Sequence, residues 1–302
     1  MEDFYNFTTG WIDSPDDVSA VAAELPNPVF GDTEASTLPE SEIPDHVYLW
    51  DLARKVTGNL LPPRNQGKVG SCVGHGTARA NEYTMLAEIA QGQAEEFKPI
   101  APEVIYGGSR VEIGGGRLRG DGSIGAWAGK WVNQYGLVAR GVYGKLDLRS
   151  YNEQTCRQLG ANGIPADVES VAREHPVGGI TLIKSLVDLR KALAQGFAVA
   201  ICSGVGFQLG RDGRGVCSRK GVWNHCMTVA GFATLEGKKI YRIDNSWGDM
   251  AHTGPVGPGN PGPEGFYCEE DAMAEILAAG DSWAFSDVKG FVRKPVIVDW
   301  FI

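Results

Sequence analysis

No lysine or arginine occurs in the first 50 residues of this 302-residue chain, although 11 aspartates and glutamates do. The net charge of −9 therefore belongs to that segment, because the remaining residues carry 28 basic against 26 acidic side chains. Nucleic-acid binding draws on a basic surface that releases counterions. No basic cluster with interleaved aromatics is present; the arginines of "SRVEIGGGRLRGDG" (109–122) are separated by glycines and followed by acids. A nucleic-acid partner is therefore not expected. Long apolar runs are missing too: nothing approaches the roughly 20 residues that span a bilayer, and "MEDFYNFTTGWIDSPDD" lacks the basic start and apolar core of a secretory leader. The expectation is no membrane partner, and an intracellular setting or carriage by a larger assembly. The six cysteines (72, 156, 202, 217, 226 and 268) have neither zinc-site spacing nor the density of a disulfide scaffold. They read as reduced core thiols, with Cys202 and Cys217, which flank a hairpin, as the one pair placed to bridge. With five scattered histidines and no acids at ligand spacing, no metal or other cofactor is expected.

What is present is enough apolar residue, 43%, for a sizeable core. Residues 1–47 read as an acidic, proline-containing N-terminal arm and residues 48–302 as the main domain. Phe4, Tyr5, Phe7, Trp11, Ile12, Val29 and Phe30 give the arm too many apolar anchors for a solvated tail, so it should pack on its own chain or on a partner protein. "SPDDVSAVAAEL" predicts a short helix in the arm, with Ser14 as N-cap and Pro15 at the first helical position. Further on, apolar or small residues at three-and-four spacing predict a helix from 72 to about 91 with one buried stripe. Others are predicted over 125–136 and 185–196, each closed by glycine. After residue 197 the pattern turns to strands: "FAVAIC", "CMTVAGF", "KKIYRID", "GFYCEED" and "GFVRKPVIVDW". Helices first and antiparallel strands afterwards indicate an α+β protein with a cleft between a helical and a sheet half. "HTGPVGPGNPGPEG" (252–265) must be an irregular loop.

The stretch "NQGKVGSCVGHG" (65–76) puts Cys72 at the head of the predicted central helix. A thiol attacks a carbonyl as thiolate, and the free N–H groups of a helix N-terminus favour that anion and can bind an oxyanion. Gln66, six residues upstream across a glycine turn, can bring its side-chain amide to the same point. With the Cys72 N–H it would form a two-donor oxyanion hole, each donor worth about 3 kcal/mol. His225, opening the strand "WNHCMTVAGF", is the candidate base. Asn245, ending "YRIDNSWG", can accept the imidazole N–H and set its tautomer, and Trp247 can cover that bond from water. His75, one turn after Cys72, is a poorer base because a substrate needs room between the two groups.

Taken in order, these segments resemble the papain-like cysteine peptidases, in the manner of their bacterial and phage members. "NQGKVGSC" is similar to the family's turn into the nucleophile, "WNHCMTVAGF" to its histidine strand, and "IDNSWG" with "EGFY" to its asparagine and following strand motifs, over roughly residues 48–290. The resemblance implies a two-lobed fold: a helical left lobe bearing Cys72 on its central helix and an antiparallel sheet or barrel bearing His225 and Asn245. It implies peptide hydrolysis through a thioester at a Cys72-His225-Asn245 triad, without a cofactor, and assigns Gly122, Ser123 and Ile124 with Asn224 to the substrate groove. Val73 stands where the family usually has an aromatic, the groove-wall cysteines are missing, and residues 249–264 insert a Pro/Gly loop at the cleft. Two other readings are open: a papain-fold component of a phage particle or secretion complex whose site is idle or used once, and a peptidoglycan amidase or endopeptidase using the same thiol chemistry.

Overall fold

The computed structural model describes residues 7–93, 96–286 and 290–297. Phe4 and Tyr5, counted among the arm's anchors, lie outside them. The arm opens with α1 (Pro15–Ala23), where Pro15 occupies the first turn as predicted. Ser14 does not cap the backbone; its hydroxyl donates to the Asp17 carboxylate at 2.6 Å, a stronger acceptor one turn away. Short 3-10 turns follow between Phe30 and Glu42, and β1 (Val47–Tyr48) joins the sheet.

The helical half comprises α2 (Leu49–Thr57), α3 (Cys72–Ala90), α4 (Pro102–Gly108), α5 (Gly125–Gln134), α6 (Glu153–Asn162) and α7 (Ala166–Arg173). A two-stranded ribbon, β2 (Val142–Tyr143) with β3 (Leu146–Asp147), lies beside them. The other half is an antiparallel sheet built from β4 (Gly179–Leu182), β5 (Val199–Phe207), β6 (Arg219–Leu235), β7 (Lys238–Asp244), β8 (Gly265–Glu269) and β9 (Asp281–Ser286). Its order is β4-β9-β5-β6-β7-β8, with β1 pairing on the far end of β6. Helices α8 (Leu186–Ala194) and α9 (Glu270–Ala278) pack on this sheet. The architecture is thus α+β with a helical and an antiparallel half, as the order of patterns implies. Among the described residues no helix is long and apolar enough to cross a membrane.

Three local expectations are corrected. The end of "GFYCEED" turns into α9 because Glu270 and Asp271 sit in its first turn, where carboxylates favour a helix N-terminus. "GFVRKPVIVDW" forms no strand over 290–297, and its last residues lie outside the described ones; Pro295 removes a ladder donor, and Phe291 is used as a plug between Phe30 and Phe197. Helix α3 is buried not along one stripe but over 16 of its 19 residues, because it runs between the halves. Gly74 and Gly76, which cost helix propensity, make this possible. A Cβ at Gly74 would lie 2.6 Å from the Pro102 carbonyl oxygen, and one at Gly76 would lie 2.8 Å from Cys226 Sγ. The polar residues of α3 are held in a buried network: Glu82 accepts from Arg64 at 2.6 Å and Arg79 at 3.2 Å, and Tyr83 donates to Asp244 at 2.6 Å. That last bond ties the central helix to the strand end that carries Asn245.

Candidate active site

Two segments distant in sequence build the floor of the cleft by pairing. The backbone N–H of Gln66 donates to Ser246 O at 2.8 Å, Asn65 bridges Trp247, and Gly248 N–H donates to Arg64 O at 2.9 Å. The loop before α3 is thereby docked on the turn after β7. The first bond inside α3 runs from His75 N–H to Ser71 O at 3.1 Å, so the N–H groups of Cys72, Val73 and Gly74 have no acceptor within the helix.

Cys72 is the first residue of α3 and is fully buried. Burial dominates its thiol and drives the pKa above the ordinary range. The nearby Cys226 thiol adds to that, while the N–H groups of Cys226, Val73 and Cys72 pull the other way. Strand β6 runs along the start of α3, with Cys226 against Gly76 and the Thr228 hydroxyl donating to Gly76 O at 2.8 Å. His225 therefore sits one residue from the strand position that touches Cys72. Its Nε2 lies 2.8 Å from Asn245 Oδ1, and Trp247 stacks on the imidazole at 4.5 Å and 26°. Burial lowers the His225 pKa to about 4, partly offset by the bond to Asn245. Its other nitrogen, Nδ1, is buried without a hydrogen-bond partner.

Gln66 is fixed at both ends of its amide. Ser246 Oγ donates to Oε1 at 2.7 Å, and Nε2 donates to Val69 O at 2.9 Å, which leaves one of the two amide hydrogens for another acceptor. His75 is held elsewhere, edge-on against Tyr151 at 4.7 Å, and burial drives its pKa well below the usual value. All six cysteines are buried free thiols; Cys202 stands opposite Cys226 across two strands, whereas Cys217 lies beside His252, so the Cys202–Cys217 bridge is not formed. Among the described residues no group of His, Cys, Asp and Glu could hold a metal ion.

The residues that the resemblance assigns to a substrate groove are covered by the chain's own arm. Gly10 and Trp11 N–H groups both donate to Asn224 O, at 3.1 and 3.0 Å. Ser123 N–H donates to Gly10 O at 2.8 Å and Ser123 O accepts from Ile12 at 2.9 Å, a parallel bridge centred on Trp11. Gly122 and Ile124 flank this bridge, Ile124 buried at the start of α5. On one side Trp247 Nε1 donates to Thr8 O at 2.8 Å and stacks on Phe7 at 4.7 Å. On the other, the Trp11 indole enters a pocket and donates to Asp281 Oδ2 at 2.7 Å. A Cβ at Gly10 would lie 2.1 Å from Gly70 O, so only glycine passes over the turn that leads to Cys72.

Two of these residues are not signalled by the sequence. Asp281 sits in "GDSW" with no spacing to mark it, and its burial, which raises its pKa, is a property of the fold. His252 sits in the irregular loop, yet its Nε2 lies 3.1 Å from Asn245 Nδ2.

Comparison with known proteins agrees with this architecture. No family model matches the chain. Cysteine proteinase 1 of Entamoeba histolytica is 27% identical over 199 residues, covering 63% of this chain. The match spans 57% of the length of that relative. Xylellain, a cysteine protease from Xylella fastidiosa, superposes with a TM-score of 0.66 at 15% identity, over 93% of this chain and 96% of its own. Digestive procathepsin L 3 of Tenebrio molitor larval midgut gives 0.55 at 15% identity, over 92% and 83%. Procathepsin B S9 from Trypanosoma congolense gives 0.55 at 12%, over 93% and 86%. The fold is that of the papain-like cysteine proteases.

Proposed function

We propose that the protein is a papain-like cysteine peptidase whose cleft is closed by residues 7–25 of its own arm. The observation that carries this reading is the placement of Cys72, at the head of α3, beside the strand β6 that carries His225 in its unit with Asn245 and Trp247, under an arm segment hydrogen-bonded to Asn224 and Ser123; in this closed form His225 Nδ1 makes no hydrogen bond to the thiol. In the open enzyme His225 Nδ1 takes the Cys72 proton, and the thiolate attacks the scissile carbonyl carbon. The oxyanion is held by the Cys72 N–H and the remaining amide hydrogen of Gln66. The imidazolium then protonates the leaving amine as the C–N bond breaks, leaving a thioester that water hydrolyses with His225 as base. Asn245 keeps the imidazole in one tautomer and Trp247 excludes water from their bond. No cofactor enters any step.

The closed form accounts for the unfavourable pKa values. Thiolate and imidazolium are both charged, and both are destabilised while the arm buries them. Opening the cleft hydrates the pair and lets the proton move from Cys72 to His225. The arm's contacts lie on its own groove and core, which supports a cleft-closing segment over a docking one.

The arm falls into two parts that differ in role. Residues 7–25 lie on the cleft and α5, whereas Phe30, Ala35 and Leu38 are buried in the core of the sheet half. The test is therefore a protease site engineered into the Leu25–Pro28 link, followed by an epoxide inhibitor of papain-like enzymes and mass spectrometry. The cut form should be labelled at Cys72, hydrolyse casein and lose both properties in Cys72→Ala, while the uncut chain is nearly inert. Deletion through residue 45, by contrast, should destabilise the fold by removing Phe30. A cut, folded protein that neither labels nor hydrolyses would overturn the peptidase reading and favour an assembly component with a silent site; cleavage of cell-wall peptides but not casein would favour the amidase reading.

A further inference from the structure

The insertion at 249–264 is wider than a connection needs, and one of its side chains is aimed at the centre of the site. His252 is only 3% exposed, packed against Phe266 at a ring distance of 4.7 Å and near Trp223 at 6.5 Å. The loop around it is hooked by one residue: Arg211 donates through its guanidinium to the carbonyls of His252, Thr253, Gly254, Pro263 and Gly265.

Hydrogen-bond logic fixes every atom from there to the imidazole of His225. Ser246 N–H, which can only donate, lies 2.7 Å from one atom of the Asn245 amide, so that atom is Oδ1. The same oxygen meets His225 Nε2, which must then carry a hydrogen, leaving Nδ1 as the basic nitrogen. The other end of the amide is the donor Nδ2, and it meets His252 Nε2, which must accept. His252 therefore carries its proton on Nδ1, 3.3 Å from Leu209 O. Neutral His252 is required for this arrangement. Burial lowers its pKa to about 3, and the charged Arg211 and Arg242 act in the same direction. Cys217, 4.0 Å from Nδ1, and His225 are the other titratable groups facing it.

Building on the proposed function, we infer that His252 is a positioning residue for the site. By accepting from Asn245 Nδ2 it prevents the amide from turning over, and so holds His225 in the tautomer whose free nitrogen receives the Cys72 proton. The insertion is thus part of the proton-transfer machinery at one remove.

The test uses the full chain and its cut form, with His252→Ala, His252→Gln, Asn245→Ala and the double variant His252→Ala/Asn245→Ala. Loss of one buried neutral hydrogen bond should lower kcat about tenfold in His252→Ala, with KM nearly unchanged. His252→Gln, whose carbonyl can accept the same N–H, should recover most of it. In the Asn245→Ala background the His252→Ala change should add almost nothing. Nitrogen-15 shifts of the histidine rings in the uncut chain provide a readout independent of activity: Nε2–H for His225 and Nδ1–H for His252, with mixed His225 tautomers in His252→Ala. A His225 tautomer that does not respond to His252→Ala, or an equal loss in both backgrounds, overturns the proposal. An inactive wild-type enzyme with the expected tautomers and the expected response would instead defeat the peptidase reading and leave the positioning role standing.

Discussion

Trp11 is the arm residue with the most to lose. Its indole is 5% exposed and supplies one of the donors to Asp281, which also accepts from Gly125 N–H at 2.8 Å and Trp283 Nε1 at 2.7 Å. Truncating a buried tryptophan costs about 3 kcal/mol or more, and here the cost falls on the closed form alone. Trp11→Ala should therefore raise the rate of Cys72 labelling in the uncut chain roughly a hundredfold. Trp11→Phe, which keeps the ring but leaves Asp281 one donor short, should fall between; equal rates for all three would show that the pocket does not hold the arm.

At the scale of the element, the contact of α3 with β6 sets how the helix bearing Cys72 lies against the strand bearing His225. That contact needs a missing side chain, because a Cβ at Gly76 would lie 2.8 Å from Cys226 Sγ and 3.2 Å from Met227 O. Alanine is the better helix former by about 1 kcal/mol, yet overpacking here should cost about 1–3 kcal/mol and win. Gly76→Ala should lower Tm, and adding Cys226→Ala should recover most of the loss by removing the sulfur. A rise in Tm in the single variant would mean that the strand gives way easily and that the lie of helix on strand is set elsewhere. The same interface shows what periodicity missed in α3: a pattern for one apolar stripe is compatible with burial on every side when Arg79, Glu82 and Tyr83 find partners.

For the whole molecule, the buried histidines make stability depend on pH. The pKa is lowered to about 4 for His225, to about 3 for His252 and well below 6.5 for His75, in each case chiefly by burial. A histidine with a depressed folded pKa stays neutral in the native state while the unfolded chain binds a proton below about 6.5. Stability is thus full above that value and falls as pH drops from about 6.5 toward 4. Near pH 5 unfolding should take up close to two protons at His225 and His252, each contributing about 1.4 kcal/mol per pH unit, and His75 acts in the same direction. Urea unfolding at several pH values between 5 and 7.5 measures that slope; a flat profile would mean that the three rings are hydrated in solution.

Local chemistry, read from the sequence alone, determined the order of elements: glycine stops after α5 and α8, Pro15 at the start of α1, and apolar runs long enough only for strands after residue 197. It also nominated Cys72, His225, Asn245, Gln66 and Trp247 as a candidate set: Cys72 heads α3, Gln66 lies in the turn before it, and Asn245 and Trp247 follow the end of β7, whereas His225, expected to open a strand, lies inside β6 because pairing with β5 continues back to Arg219. Whether the arm lies on a partner or in the groove was not written in any local pattern; it depends on Asn224, Ser123 and Asp281 converging from three separate segments. His252 was illegible for the same reason. Its role comes from a loop without periodicity, closed by the many carbonyls that Arg211 gathers, and only the packed chain brings that imidazole to the back of Asn245.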